Sequence, residues 1–179
     1  MPLLRFAYVL ALTLWLGSMI TLGALIAPIL FSTLGALDPE GGRALAAQTF
    51  AVILSRSHYL SYAAGAVMLI ALAGMALLGP RPRSFAIRLG IVALMLGVSA
   101  YSGLVVFREI EGIQRAIAAT APPASDHRTV VPPLPSSLPT GDPRRVRFDA
   151  LHALSTRLMM FNIAAALVLL AWEAREPSR

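Results

Sequence analysis

The chain predicts an all-α integral membrane protein: a four-helix bundle with a Pro-rich loop between its third and fourth helices. Two observations carry this prediction. Apolar residues make up 57% of the 179 and charged residues only 13%, whereas a soluble domain is roughly one quarter charged. The apolar residues also fall into four runs, each near the ~20 residues that a helix needs to cross a bilayer core of about 30 Å. A mean hydropathy of +0.72 agrees.

The first span covers about 6–31 and carries no charge. It exceeds the roughly 7–15 apolar residues of a cleaved signal core, so it reads as a retained span. Pro28 cannot donate a backbone hydrogen bond and crowds the carbonyl four residues earlier, which predicts a kink near 24–28. A connector follows, in which Asp38-Pro39-Glu40-Gly41-Gly42 is a turn signal. Residues 43–54 recur at helical spacing and read as an interfacial helix or as an extension of the second helix.

The second span, 59–78, stops at Gly79-Pro80-Arg81-Pro82. The third, 85–107, follows so closely that the two form an antiparallel pair, and its helix is expected to run on to about Ala119. Residues 121–145 contain seven prolines among Ser, Thr, Gly and Asp and read as an extended, mobile loop. The fourth span is 150–172, with Trp172 as an interfacial anchor. The whole chain, 1–179, is a single transmembrane domain.

The net charge of +6 comes from Arg alone, since the chain has no Lys. A pI near 11 would suggest nucleic acid in a soluble protein. No basic stripe with interleaved aromatics is present, so nucleic acid is not an expected partner. Arg at the membrane edges sets orientation instead. Arg81, Arg83 and Arg88 make the densest acid-free cluster, on the side of both termini. The expected placement is the cell inner (plasma) membrane with both termini cytoplasmic. Arg144, Arg145 and Arg147 before the fourth span argue the other way. Without cysteine, disulfides, thiolate metal sites and a Cys nucleophile are excluded.

Small residues spaced four apart let membrane helices approach closely. Ser61 and Gly65, Ala93 and Gly97, and Ser99 and Gly103 have that spacing, and Gly90 lies seven before Gly97. All are read as packing positions.

One polar constellation stands out. His58, Ser61, Tyr62 and Gly65 share one face of the second helix; Phe148, His152, Ser155, Met159 and Asn162 share one face of the fourth. The two helices run in the same direction, so both histidines belong near the long-loop side. Glu109 ends the third span at that surface, and Arg157 sits deeper than His152. Ionisable groups inside a span are costly and often mark function. The candidate set is therefore His58, Ser61, Tyr62, Glu109, His152, Ser155, Arg157 and Asn162. It admits bis-His haem ligation, a divalent metal held by the two histidines with Glu109 or Asp149, a proton relay, or a lipid headgroup site. It equally admits plain polar packing, with Arg157 snorkelling to the surface. His127 falls among the loop prolines and reads as solvated.

No Gly-rich phosphate loop, HExxH or spaced triad is present, so catalysis is not expected. The residues do resemble a known pattern. Trp15-Leu16-Gly17-Ser18 followed by Ala27-Pro28 and Phe31, then His58, then Arg147-Phe148, His152, Leu154-Ser155 and Asn162 resemble a bacterial four-span membrane family of unknown function that is similar to eukaryotic transmembrane protein 205. The resemblance covers spans one, two and four. It implies four spans in a plasma or internal membrane, and no reaction or residue role.

The leading expectation is a non-enzymatic accessory or interaction subunit without a cofactor. Its partners are the lipid bilayer and other membrane proteins or copies of itself. The alternative is a protein that handles metal, haem or a small solute through a His58/His152 polar site.

Overall fold

The computed structural model describes residues 2–39, 41–78, 84–120 and 133–175. Four helices account for most of them: α1 (Pro2–Leu37), α2 (Gly42–Leu78), α3 (Phe85–Ala119) and α4 (Pro143–Arg175). All four are long and apolar enough to cross a membrane, which defines a multi-pass all-α membrane protein. At 1.5 Å per residue, 33–37 residues reach about 50–55 Å, well beyond a hydrocarbon core of about 30 Å. The helices therefore project past the core, mostly on the side of the 38–41 and 120–142 connectors.

Consecutive helices pack side by side, and α1 closes the ring against α4. The diagonal partners are α1 with α3 and α2 with α4. Residues 43–54 belong to α2, which runs unbroken from Gly42. The turn before it is tight: Asp38 accepts the Gly41 amide on its side chain at 3.1 Å and the Gly42 amide on its carbonyl at 2.8 Å. A Cβ on Gly42 would collide with the Leu34 carbonyl, so only glycine permits that approach.

α4 begins seven residues before the expected 150. Asp142 is its N-cap, accepting the Arg144 amide at 2.8 Å, and Pro143 occupies the first helical position, where its missing N–H is no loss. The expectation of a mobile loop over 121–145 is corrected at this end. A 3₁₀ turn, Pro135–Ser137, precedes the helix, and the Arg145 guanidinium donates to the Leu138 carbonyl at 2.6 Å. The expectations for 121–132 and for the 79–83 linker lie outside the described residues.

Both α1 and α3 contain a π-helical turn, Leu22–Ile26 and Ser102–Val106. In α1 the turn directly precedes Pro28, and the Ala27 amide reaches back to the Leu22 carbonyl. The kink expected from Pro28 therefore takes the form of an extra residue in the preceding turn. In α3 the Phe107 amide reaches the Ser102 carbonyl in the same way.

The bundle is solid in one half and hollow in the other. Tyr8, Leu12, Trp15, Met68, Met95 and Leu169, with their neighbours, fill the half near the termini. Gly65 is needed there, because a Cβ would stand 2.8 Å from both Trp15 and Leu96. The expected packing role fails for Gly90, Ala93 and Gly97. All three are exposed, and a Cβ on either glycine meets nothing within 4 Å. They share spacing with the buried positions but lie on the outer face of α3.

Candidate functional site

The hollow half holds a partly open chamber of about 370 Å³ lined by all four helices. Both π-turns border it: Leu22 and Gly23 on α1, Ser102 on α3. Such turns displace backbone and frequently accompany functional sites. His58, Ser61, His152, Ser155 and Asn162 all line the chamber, so five of the eight candidate residues meet in one space.

Each is held differently. His58 stacks on Tyr62 at 6.2 Å and meets the Phe107 ring edge-on at 5.9 Å. The α3 backbone can approach because position 103 is glycine; a Cβ there would come within 3.0 Å of the His58 ring and collide with the Tyr62 hydroxyl. Tyr62 itself donates to the Ser99 carbonyl at 3.4 Å and supports the site from outside the lining. His152 stacks nearly parallel on Phe148 at 6.0 Å and is exposed, which puts it at an open edge of the chamber. Asn162 is only 2% exposed. Its amide nitrogen donates to the Ser99 hydroxyl at 3.0 Å, while its Oδ1 is buried with no hydrogen-bond partner among the described residues.

Two candidates lie elsewhere. Glu109 accepts from Arg147 at 2.6 Å, an ion pair at the rim. Arg157 is exposed and does not line the chamber. No group of three His, Asp or Glu side chains suited to a metal ion occurs among the described residues, and Glu109 is engaged by Arg147 rather than turned toward the histidines.

The lining contains no charged side chain. Its polar groups are hydroxyls, two imidazoles and two amides, set among aromatic and aliphatic side chains. Chemically, it can accept and donate hydrogen bonds to a neutral ligand, and only the two imidazoles could carry a charge toward an ionic one. On the long-loop side, a more polar pocket of about 490 Å³ is lined by Gln48, Glu111, Arg115 and Pro135. Ala47 and Gln114 line both spaces, so the two pockets are neighbours. The chamber's far end is closed by the apolar core.

Sequence reasoning missed the residues that seal the opposite end. Arg88 is 2% exposed and Glu173 7%, and they form a direct ion pair. Arg5 joins at 3.1 Å and also donates to the Glu173 carbonyl at 3.2 Å. The Arg88 guanidinium lies 5.6 Å from the Trp172 ring, a cation–π distance. The signal was present: Arg88 early in span three and Glu173 late in span four fall at the same depth in antiparallel helices. Ser18, Ser99 and Ser102 also line the chamber; the sequence reading gave Ser99 a packing role and singled out neither Ser18 nor Ser102 as a site residue.

A family described as "Domain of unknown function (DUF4149)" matches residues 10–118. The chain therefore belongs to that family. The match spans most of α1, all of α2 and nearly all of α3, and leaves the α4 wall of the chamber outside. No curated protein and no solved structure matches the chain, and the likeness to transmembrane protein 205 rests on the quoted residues alone.

Proposed function

We propose that this protein is a non-enzymatic membrane binding protein that holds a small uncharged ligand in the four-helix chamber. The observation that carries the reading is the chamber itself, about 370 Å³ lined from all four helices by hydroxyls, amides and imidazoles set among apolar side chains, with no Asp, Glu, Lys or Arg. In this reading the protein lies in the inner membrane with both termini cytoplasmic. The long-loop side, with the polar pocket, then faces outward. The accessory-subunit reading would draw on the exposed Gly90, Ala93 and Gly97 face of α3, where a neighbouring helix could approach closely. The chamber is the more specific feature.

The absence of native cysteine gives a clean test. Ser155→Cys and Ser102→Cys should react with a water-soluble thiol reagent added from the outer side of intact cells, and Met68→Cys should not. Organic extracts of the purified protein should contain a neutral small molecule that is depleted in Asn162→Leu. Unreactive chamber cysteines and identical extracts would sink the proposal.

A further inference from the structure

The solid and hollow halves of the bundle are built from different side chains. Aliphatic groups, methionines, Tyr8 and Trp15 fill the core near the termini, and no phenylalanine is among its buried residues. The chamber takes phenylalanines instead. Four of the chain's seven line it, one from each helix: Phe31 on α1, Phe50 on α2, Phe107 on α3 and Phe148 on α4. Each is half-buried, so neighbouring side chains cover none of these rings completely.

Every one of the four is steadied by a second ring that also lines the chamber. Phe31 and Phe50 meet at 6.4 Å, tilted by 60°. Phe107 stands edge-on to His58 at 5.9 Å, and Phe148 lies nearly parallel to His152 at 6.0 Å. Six flat rings therefore border one space. They are not a belt of the kind that anchors helix ends among headgroups, because they line an interior.

Aromatic rings accept further rings in offset-stacked or edge-to-face contact, with centroids about 4.5–7 Å apart, and such contacts add to the gain from buried area. A saturated ring of the same size gains from the area alone. The chamber also offers hydroxyls, amides and imidazoles between its rings, which suit oxygen atoms at the edge of a ligand ring. Its volume of about 370 Å³ is at the small end of ligand pockets, which run about 300–1,000 Å³, and fits a compact ring system.

We infer that the ligand is a small planar ring compound, a monocyclic or bicyclic aromatic or quinonoid, that carries hydroxyl or carbonyl oxygens. Phe31, Phe50, Phe107 and Phe148 select its flat ring, and the polar groups between them hold its oxygens. The inference rests on the chamber being a binding site and adds what that site selects.

The experiment titrates full-length protein in phosphatidylcholine nanodiscs, against empty nanodiscs, with two diols of one skeleton: 2,6-dihydroxynaphthalene and its saturated analogue decahydronaphthalene-2,6-diol. The planar diol should bind about tenfold more tightly, the worth of one or two aromatic contacts. Phe107→Leu combined with Phe148→Leu should remove most of that advantage and leave the saturated diol's affinity unchanged. Phe161→Leu, at an exposed ring outside the lining, should alter neither. Equal affinity of the two diols for the wild type would overturn the planar ligand and leave the binding site standing. A planar preference that survives the double variant would overturn its assignment to these rings. Equal weakening of both diols in the double variant would show that the rings shape the chamber without selecting its occupant, and would overturn the inference as well. If neither diol binds above empty nanodiscs, the inference and the binding site fall together. Elution of each variant as the wild-type species separates these outcomes from misfolding.

Discussion

Asn162 on α4 and Ser99 on α3 meet through their side chains at 3.0 Å, and this one bond ties two helices together at the point where the solid core gives way to the chamber. Ser99 is doubly used, since its carbonyl also accepts from Tyr62 on α2. Three of the four helices thus converge on a single residue beside the π-turn of α3. Asn162 uses its amide nitrogen for this bond, and its Oδ1 is buried.

Removing either partner should expose that coupling. Ser99→Ala leaves both ends of a buried amide unsatisfied, whereas Ser99→Ala with Asn162→Leu removes donor and acceptor together. The double variant should be more stable than the sum of the single changes. The coupling expected is about 0.6 kcal/mol and at most about 1.7 kcal/mol, the range for interhelical bonds in membranes. Thermal unfolding of the four proteins in detergent measures it, and zero coupling would show that the bond holds nothing.

Glu173 carries a heavier load. It is the carboxylate that meets Arg88 and Arg5, and Arg88 is almost fully buried. Glu173→Ala removes the carboxylate from the buried pair with Arg88, and breaking a buried pair in this way costs about 3–5 kcal/mol. Replacing both by apolar side chains, Arg88→Met with Glu173→Leu, should recover most of that loss, because no buried charge remains. Arg5→Ala should matter far less, since Arg5 is 36% exposed and can turn to water. Unfolding midpoints of the wild type and the three variants would check the order; a mild Glu173→Ala would contradict it.

Two glycines that look alike in sequence should behave in opposite ways. Gly65 has Trp15 and Leu96 within 2.8 Å of where a Cβ would sit, so Gly65→Ala overpacks the core, at a cost of about 1–3 kcal/mol. Gly97 faces open space, and Gly97→Ala should be neutral or stabilising by up to about 1 kcal/mol through helix propensity. Paired melting curves would decide. A destabilising Gly97→Ala would mean that the outer face of α3 packs against another chain.

These glycines also show where the sequence stops being legible. Spacing along one helix identifies which residues share a face, and it correctly grouped His58 with Ser61 and His152 with Asn162. It does not tell whether that face looks inward, which is why Gly97 was grouped with Gly65. The four spans were readable because run length and hydropathy determine them directly. The chamber was not, because it depends on two backbone events. Pro28 foretold one as a kink; the other, at Ser102–Val106, has no proline to announce it. The Arg88–Glu173 pair required matching depths across antiparallel helices, a relation between segments that periodicity within each segment cannot supply.

The start of α4 provides a pH-dependent test. Asp142 caps the helix, and the Arg144 side chain, donating at 2.9 Å and 3.2 Å, is the first cause holding its carboxyl below the ordinary value; the Arg144 backbone amide is the second. A carboxyl whose folded pKa is depressed contributes its stability above the unfolded value, about 3.9. That contribution is lost as pH falls through the still lower folded value. Hydrogen-exchange protection of the Arg144 and Val146 amides should therefore be high at neutral pH and fall on acidification below about pH 4. Asp142→Asn retains an acceptor oxygen that does not titrate, so its protection should stay flat across that range. Asp142→Ala should be weakly protected at every pH, because the cap is absent throughout. If the wild-type protein and Asp142→Asn respond to acid alike, the Asp142 carboxylate does not control this helix end.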